Sequence, residues 1–361
     1  MSQIQQTAPM TEARVLKTGQ TRCWSASGAL IHCVGTGQDG EFQAGVVWPT
    51  PRFTDNENGT VTDNLTGLIW LKDANRFGEV TWPQALTVCN TLASGGYGLT
   101  DGSVVGDWRL PNVNELQSLV DLDITAGPAL PPGHPFTNLQ VANYWSSTSV
   151  AAFPALCWYV AMAVTCPVFD LKVNVMRVWP VRGESTCVAQ TGQKQCYDLY
   201  GMPIIHPVGT GQDGEIQAGV AWPNPRFTDN EDGTVTDNLT GLIWLKNATP
   251  FGTRNWEQAL QDCNTLASGS HGLKDDSVAG DWRLPNVHEL RSLEDYGQAR
   301  PALPLGHPFT NVRQSLCWAS TTVPSDPKLA RFLFVGIGSC VWDHKSVLMG
   351  VWPVRWGRYQ L

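Results

Sequence analysis

The sequence predicts an α+β protein made of two copies of one domain, and three observations lead there. The first is internal repetition. The forty residues 35–74, from "GTGQDGE" to "LKDA", recur at 209–248 with five differences. "DWRLPNVNEL" at 107–116 returns as "DWRLPNVHEL" at 281–290, and "VWPVR" at 178–182 returns at 351–355. The second is a pair of capped, helix-periodic segments early in each copy. The third is a set of short β-type runs before and after them, separated by Pro and Gly. The period of 174 residues, 173 near the end, is far too long for a solenoid and marks a tandem duplication. The expected organisation is a mobile polar leader over 1–17, domains over 18–183 and 191–361, and a short linker over 184–190.

Each copy is read in order. "CWSASGALIHC" is a hairpin turning at Ser27-Gly28, with Cys23 and Cys33 bracketing it. "RFTDNENGTVTDNLTGLIWLKD" is a second hairpin, with turns at Asn56–Gly59 and Asn64–Gly67. Thr81 caps a helix whose Ala85, Leu86, Cys89 and Leu92 share one face, with Pro83 tolerated in the first turn. Asn255 caps its counterpart, which places Ala259, Leu260, Cys263 and Leu266 inside. "DWRLP" is a short buried strand. Asn112 then caps a second helix, and Glu115 three residues on completes a capping box, as do Asn286 and Glu289. "CWYVAMAVTC" and "RFLFVGIGSCVW" supply strands to the last third of each copy.

The bulk numbers exclude some functions. The chain has 361 residues and a formal net charge of −8, which argues against a nucleic-acid or anionic-membrane surface. No apolar run is long enough to span a bilayer, so no membrane insertion is expected. The opening residues lack the layout of a signal peptide. Ten cysteines, none in a C-x-x-C pair, together with 16 tryptophans lean toward a secreted or surface protein.

Chemical motifs are sparse. "TDNENGT" and "TDNEDGT" have the composition of hairpin turns, with calcium as the alternative reading; no other cofactor or metal is expected. "GTGQDGE" lacks the Lys-Ser/Thr of a phosphate loop. No nucleophile–base arrangement stands out, so no catalytic residue is assigned. His134 and His307 sit in loops, and Arg109 and Arg283 are expected to pair with a carboxylate or with carbonyls. The cysteines can be paired locally as Cys23–Cys33, Cys157–Cys166, Cys187–Cys196 and Cys317–Cys340, though the connectivity stays open; Cys89 and Cys263 are expected as core thiols.

The copies do not agree evenly. Residues 143–182 and 316–355 differ at most positions, while the earlier parts are nearly identical. A fixed scaffold carrying a variable segment is the economical reading. Six tryptophans have a counterpart in the other copy, as core packing requires. Trp158 and Trp342 have none and lie in the divergent segments. The expected ligand face is therefore Trp158, Tyr159, Asp326, Lys328, Arg331, Trp342, Asp343 and His344, a mixture of charge and aromatic surface.

"NGTVTDNLTGLIWLKDA", "ALTVCNTLA", "DWRLPNVNELQSLVD", "YWSST" and "VWPVR", in order and twice, resemble a bacterial domain family named after the C-terminal domain of a Legionella collagen-like adhesin. The resemblance spans nearly the whole chain after the leader. It implies a C-type-lectin-like fold in each copy, with two helices and small antiparallel sheets, related to formylglycine-generating enzymes and to the variable proteins of diversity-generating retroelements. Asn112 stands where those relatives usually have Thr. Oxidase chemistry of that group needs two neighbouring reactive thiols at equivalent places, and Cys157 and Cys166 are not placed like Cys317 and Cys340. The expected function is therefore non-catalytic recognition or adhesion outside the cell, on a glycan or a surface protein. The alternative is a self-assembling subunit of a surface filament or layer.

Overall fold

The computed structural model describes residues 15–163, 166–312 and 316–356. In the first copy the elements are β1 (Cys23–Trp24), β2 (Leu30–Ile31), α1 (Asp39–Phe42), β3 (Phe53–Asp55), β4 (Thr60–Asp63), β5 (Ile69–Leu71), β6 (Glu79–Thr81), α2 (Trp82–Asn90), α3 (Val113–Ser118), β7 (Asn143–Ser149), β8 (Leu156–Ala161), β9 (Cys166–Leu171), β10 (Val175–Arg177) and β11 (Val181–Arg182). The second copy follows with α4 (Asp213–Ile216), β12 (Phe227–Asp229), β13 (Thr234–Asp237), β14 (Leu242–Leu245), β15 (Thr253–Arg254), α5 (Trp256–Thr265), α6 (Val287–Ser292), β16 (Leu316–Thr322), β17 (Leu329–Phe334), β18 (Ser339–His344), β19 (Met349–Gly350) and β20 (Val354–Trp356).

Each copy contributes one four-stranded and one five-stranded sheet, ordered β11-β5-β4-β3 and β6-β10-β7-β8-β9 in the first, β12-β13-β14-β20 and β15-β19-β16-β17-β18 in the second. Pairing is antiparallel except where β10 meets β7 and β19 meets β16. The four sheets are arranged as a four-bladed β-propeller. This corrects the α+β class and the two C-type-lectin-like domains expected from the sequence. The helices stand where their caps place them, but the longest has ten residues and most have four to six. Such short helices cannot form a layer that covers a sheet. Each instead packs on part of a five-stranded sheet, α2 against β6, β7 and β10 and α3 against β7, β8 and β9.

Local chemistry accounts for the repeated motifs. Asn112 accepts from the Glu115 amide at 2.9 Å while Glu115 accepts from the Asn112 amide at 2.9 Å, and Asn286 and Glu289 repeat both bonds. Arg52 and Asp63 form a buried bidentate pair at 2.7 and 3.0 Å, matched by Arg226 and Asp237. Gly40, in "GTGQDGE", lies so close to the Arg22 carbonyl that a Cβ would stand 2.3 Å from it. Trp70, Trp108 and Trp179 and their counterparts Trp244, Trp282 and Trp352 are fully buried.

Although the repeat runs from one copy to the next in sequence, the opening segment of each copy packs on the other. Asp39 accepts from Thr18 of its own segment and from Thr321 of the second copy, both at 2.7 Å. Gln20 exchanges two hydrogen bonds with the Thr322 backbone, and Asn286 donates to the Ala44 carbonyl. The second copy mirrors this. Asp213 accepts from Thr191 and from Thr148, Gln193 exchanges bonds with Ser149, and Asn112 donates to Ala218. The halves are thus interlocked by two equivalent exchanges. The expected leader ends within this lock: Val15 accepts from the Val46 amide, and Leu16 bridges to Val46. The rest of that expectation, residues 1–14, lies outside the described residues.

Cys23 and Cys33 are disulfide-bonded across the β1–β2 hairpin. Three expected pairings do not form, two of them because strand register keeps the partners apart. On β8 and β9, Cys157 stands opposite Asp170 whereas Cys166 stands opposite Ala161. Cys317 and Cys340 both flank Leu333, from opposite sides of β17, so two strand spacings of about 9–10 Å separate them. A disulfide tolerates a Cα separation of only about 4.4–6.8 Å. Cys187 turns its thiol to the Leu65 carbonyl at 3.3 Å, away from Cys196, whose sulfur faces Thr210. Cys89 and Cys263 are buried, unbridged thiols, and burial pushes both up. Reducing Cys23–Cys33, or changing Cys33 to Ser, should cost about 2–3 kcal/mol for a loop of this size. A lower midpoint in a urea titration checks this.

Candidate functional site

The divergent segments form equivalent hairpins, β8–β9 and β17–β18, that meet opposite fates. Directly paired residues share a face of a sheet. In the second copy Arg331 is paired with Trp342. At the corresponding register of the first copy Trp158 is paired with Phe169. Trp158 is only 1 % exposed, packing edge-on against Phe169 at 5.2 Å and against Tyr296 at 5.6 Å. Three aromatic rings therefore plug this face in the first copy. Tyr296 has Leu122 as its counterpart, so among the described residues no third ring fills the face in the second copy.

What remains there is a cleft of about 250 Å³ between the halves. Asp326, Leu329, Arg331 and Trp342 form one wall; the loop Ile124–Gly127 of the first copy faces them. Trp342 is half-buried and packs on the shared core, while Asp326 is exposed at the rim. Arg331, 2 % exposed, forms part of the floor and donates to the Cys166 thiol. Cys166 lies 3.5 Å from the Cys340 sulfur. Burial raises a thiol, but the Cys340 hydrogen bond and the Arg331 guanidinium outweigh it and hold Cys166 below its ordinary value. Cys340 is pushed up by the same contact and by burial.

Of the eight residues expected on the ligand face, Asp326, Arg331 and Trp342 converge on this cleft. His344 is exposed on the same strand face, two residues along from Trp342, and Asp343 is exposed on the opposite face. Lys328 is exposed beside the Gly28 turn of the first copy. Three of the eight need correction. Trp158 is core, because its neighbours Phe169 and Tyr296 enclose it, and Arg331 offers only the base of the cleft. Tyr159 is half-buried edge-on against Trp145 at 6.2 Å, away from the cleft. Sequence reasoning missed Leu329 and the 124–127 loop. Leu329 carried a signal, since it precedes Arg331 by two and so shares its face; the loop carried none, because it comes from the other copy.

Among the described residues no cluster of three or more His, Cys, Asp or Glu could hold a metal ion. In the acidic turns weighed for calcium, Asp55 is ion-paired with Lys72 and Asp229 with Lys246, each at 2.5 Å. Those lysines hold both carboxylates below their ordinary value. Asn58 accepts from Thr60, closing its own turn. Arg109 and Arg283 donate to Glu115 and Glu289 with both terminal guanidinium nitrogens, Nη1 and Nη2, beside the helix caps.

With the two hairpins and both caps in place, comparison with known families is decisive. The Lcl C-terminal domain model matches residues 59–182 and again 233–355. The chain belongs to the Lcl C-terminal domain family. The matched segments contain the capping-box helices, both divergent hairpins and the closing "VWPVR" strands, so the cleft lies in two family domains at once. No curated protein matches the chain.

Proposed function

We propose that this chain is a non-catalytic recognition protein of the adhesin type, which acts outside the cell and binds a glycan or a surface protein at the cleft beneath Trp342. The observation that carries the reading is the half-buried Trp342 above a space that aromatic rings fill in the other copy. A tryptophan with one side on the core and the other toward a cleft offers a large rigid contact at little entropic cost. Asp326 and His344 beside it provide polar partners. Membership of the Lcl C-terminal domain family supports an adhesin-like role, and the Cys23–Cys33 disulfide supports an oxidising environment. Among the described residues the equivalent face of the first copy is plugged by Trp158, Phe169 and Tyr296.

The test is a screen of the intact chain against glycans and surface proteins, repeated with Trp342→Ala. The halves are not tested apart, because each holds the other's opening segment. Loss of at least tenfold in affinity for whatever binds is expected for a hot-spot tryptophan, with the chain still folded but a lower melting temperature, because Trp342 also packs on the core. Binding that survives Trp342→Ala, or no binding across the panel, would sink the reading.

A further inference from the structure

Strand register separates the local cysteine pairs, yet it brings two cysteines of different copies together. β9 and β18 are the outer strands of the two five-stranded sheets, and they pack against each other across the junction between the copies. Cys166 opens β9, and Cys340 is the second residue of β18. Their sulfurs lie 3.5 Å apart, although the residues stand 174 positions apart in the chain. Both are thiols in this structure, buried in the core that the two halves share. By strand register, Ser339 holds the place of Cys166 in the second copy, and Pro167 holds the place of Cys340 in the first. The mirror of this pair is therefore Ser339 with Pro167, and the pair occurs once per chain.

The surroundings set this pair apart from the other thiols. Cys157 is satisfied as a thiol, donating toward the Ser146 and Thr148 carbonyls at 3.1 Å. Cys89 and Cys263 sit in separate clusters of the core, one under each longer helix. Cys166 instead faces a second sulfur and the Arg331 guanidinium, which donates to it at 2.6 Å. A guanidinium beside a thiol favours the thiolate, the form that attacks a disulfide. At 3.5 Å the two sulfurs are in van der Waals contact, so nothing stands between them. A disulfide bond is about 2.05 Å long, so the sulfurs must approach by about 1.5 Å. Rotation between staggered χ1 wells moves a cysteine sulfur farther than that.

We propose that Cys166 and Cys340 form a disulfide that joins the two copies. The oxidant is itself a disulfide, of a small thiol or of a thiol oxidoreductase. The Cys166 thiolate attacks one of its sulfurs and expels a thiolate. Cys340 loses its proton to solvent and attacks the Cys166 sulfur, which expels the second thiolate. The two cysteines lose two electrons and two protons between them, and the oxidant becomes two thiols. Both sulfurs are buried in the folded chain, so the exchange precedes the final closure of β9 on β18. The bond then lies below the cleft, because Arg331 is both part of the cleft floor and a partner of Cys166. It fixes the separation of the halves there and so pre-organises the cleft. Its formation needs only the oxidant and does not depend on what the cleft binds.

For the test, the intact chain is unfolded and reduced in urea with dithiothreitol, then refolded in a buffer of reduced and oxidised glutathione. Remaining thiols are alkylated, and the chain is mapped by mass spectrometry without reduction. A peptide pair joining Cys166 to Cys340 should appear in the majority of chains beside the Cys23–Cys33 link, leaving six of the ten cysteines alkylated. A covalent loop of this length keeps the denatured chain compact. On a non-reducing denaturing gel the refolded parent should therefore run ahead of Cys340→Ser and of Cys166→Ser, and reduction should abolish the difference. Cys157→Ser and Cys317→Ser should run with the parent. The map of the parent chain decides, so it stands even where a variant fails to fold. The proposal is overturned if Cys166 and Cys340 are recovered from the refolded chain as alkylated thiols or glutathione adducts, if either is joined to another cysteine, or if Cys340→Ser runs with the parent.

Discussion

Glu289→Ala should destabilise the protein by about 3–5 kcal/mol, the cost of leaving a buried charge without its partner. Glu289 is fully buried and does two jobs. It accepts from both terminal guanidinium nitrogens of Arg283, and it accepts from the Asn286 amide that opens α6. Removing it strands Arg283, which is 3 % exposed. It also undoes half of a capping box, although that term is smaller. The equivalent Glu115→Ala should cost less. Arg109 has a second acceptor in the Gly183 carbonyl at 3.1 Å, and its side chain is more accessible than that of Arg283. The melting temperature should fall by on the order of 10 °C for Glu289→Ala, and by less for Glu115→Ala. Glu289→Gln, which keeps the cap acceptor but not the charge, should fall between Glu289→Ala and wild type. Equal melting temperatures for Glu289→Ala and wild type would mean that Arg283 finds solvent or another carboxylate.

These caps were legible in the sequence because they are local. Asn112 and Glu115 are three residues apart, and nothing distant is needed to place them. Cys23–Cys33 was legible for the same reason, since both residues flank one tight turn. What failed was everything decided by register or by the other copy. Whether Cys157 can reach Cys166 depends on which residue faces which across β8 and β9. Whether a tryptophan in a divergent segment is core or surface depends on what surrounds it: Phe169 across the strand and Tyr296 bury Trp158, and among the described residues no such rings close over Trp342. The fold class was read from helices whose ends were correctly marked, but a cap fixes where a helix starts and says little about how much of the fold it carries.

The exchange of opening segments was illegible for a further reason. Asp39 could be satisfied by a threonine of its own copy or by one of the other, because both copies carry the same motif. In a duplicated sequence, local pattern cannot tell the two apart. Chain length and geometry between the segment and its seat decide, and those are properties of the assembled structure. The junction between the copies did leave one trace. Within a helix repeated almost letter for letter, the two substitutions, Asn114 to His288 and Gln117 to Arg291, are at positions that line a cavity between the copies.

The second large effect expected is an inverted dependence of stability on pH, which follows from the carboxyls that hold the exchange together. Burial pushes Asp39 and Asp213 up to about 6, against hydrogen bonds from their threonine partners that act the other way. Oδ1 of each has no partner among the described residues, which suits a protonated carboxyl. Burial likewise raises Asp295 to about 6 and Glu294 to about 7. A raised carboxyl means that the native state holds more protons than the unfolded chain. Stability is then greatest below the unfolded value near 4 and falls as pH climbs through the folded value. Asp39 and Asp213 should each forfeit roughly 3 kcal/mol between pH 4 and pH 6, and Glu294 should extend the decline toward pH 7. Asp55 and Asp229, depressed by their lysines, act in the opposite sense, but only below about pH 4 and at the solvent-screened surface. His288, which burial holds down at about 4, also opposes the decline, between pH 4 and its ordinary value of 6.5, but it is one group against four raised carboxyls. Urea titrations at pH 5 and pH 7.5 should therefore find the protein more stable at the lower pH. Asp39→Asn with Asp213→Asn should flatten the curve from pH 4 to 6 and stabilise the protein at pH 7.5, because an amide oxygen accepts both threonine hydroxyls without bearing a charge. If stability instead rises from pH 5 to pH 7.5 in the parent chain, these aspartates are ionised in the native state and the lock is held by charge rather than by neutral hydrogen bonds.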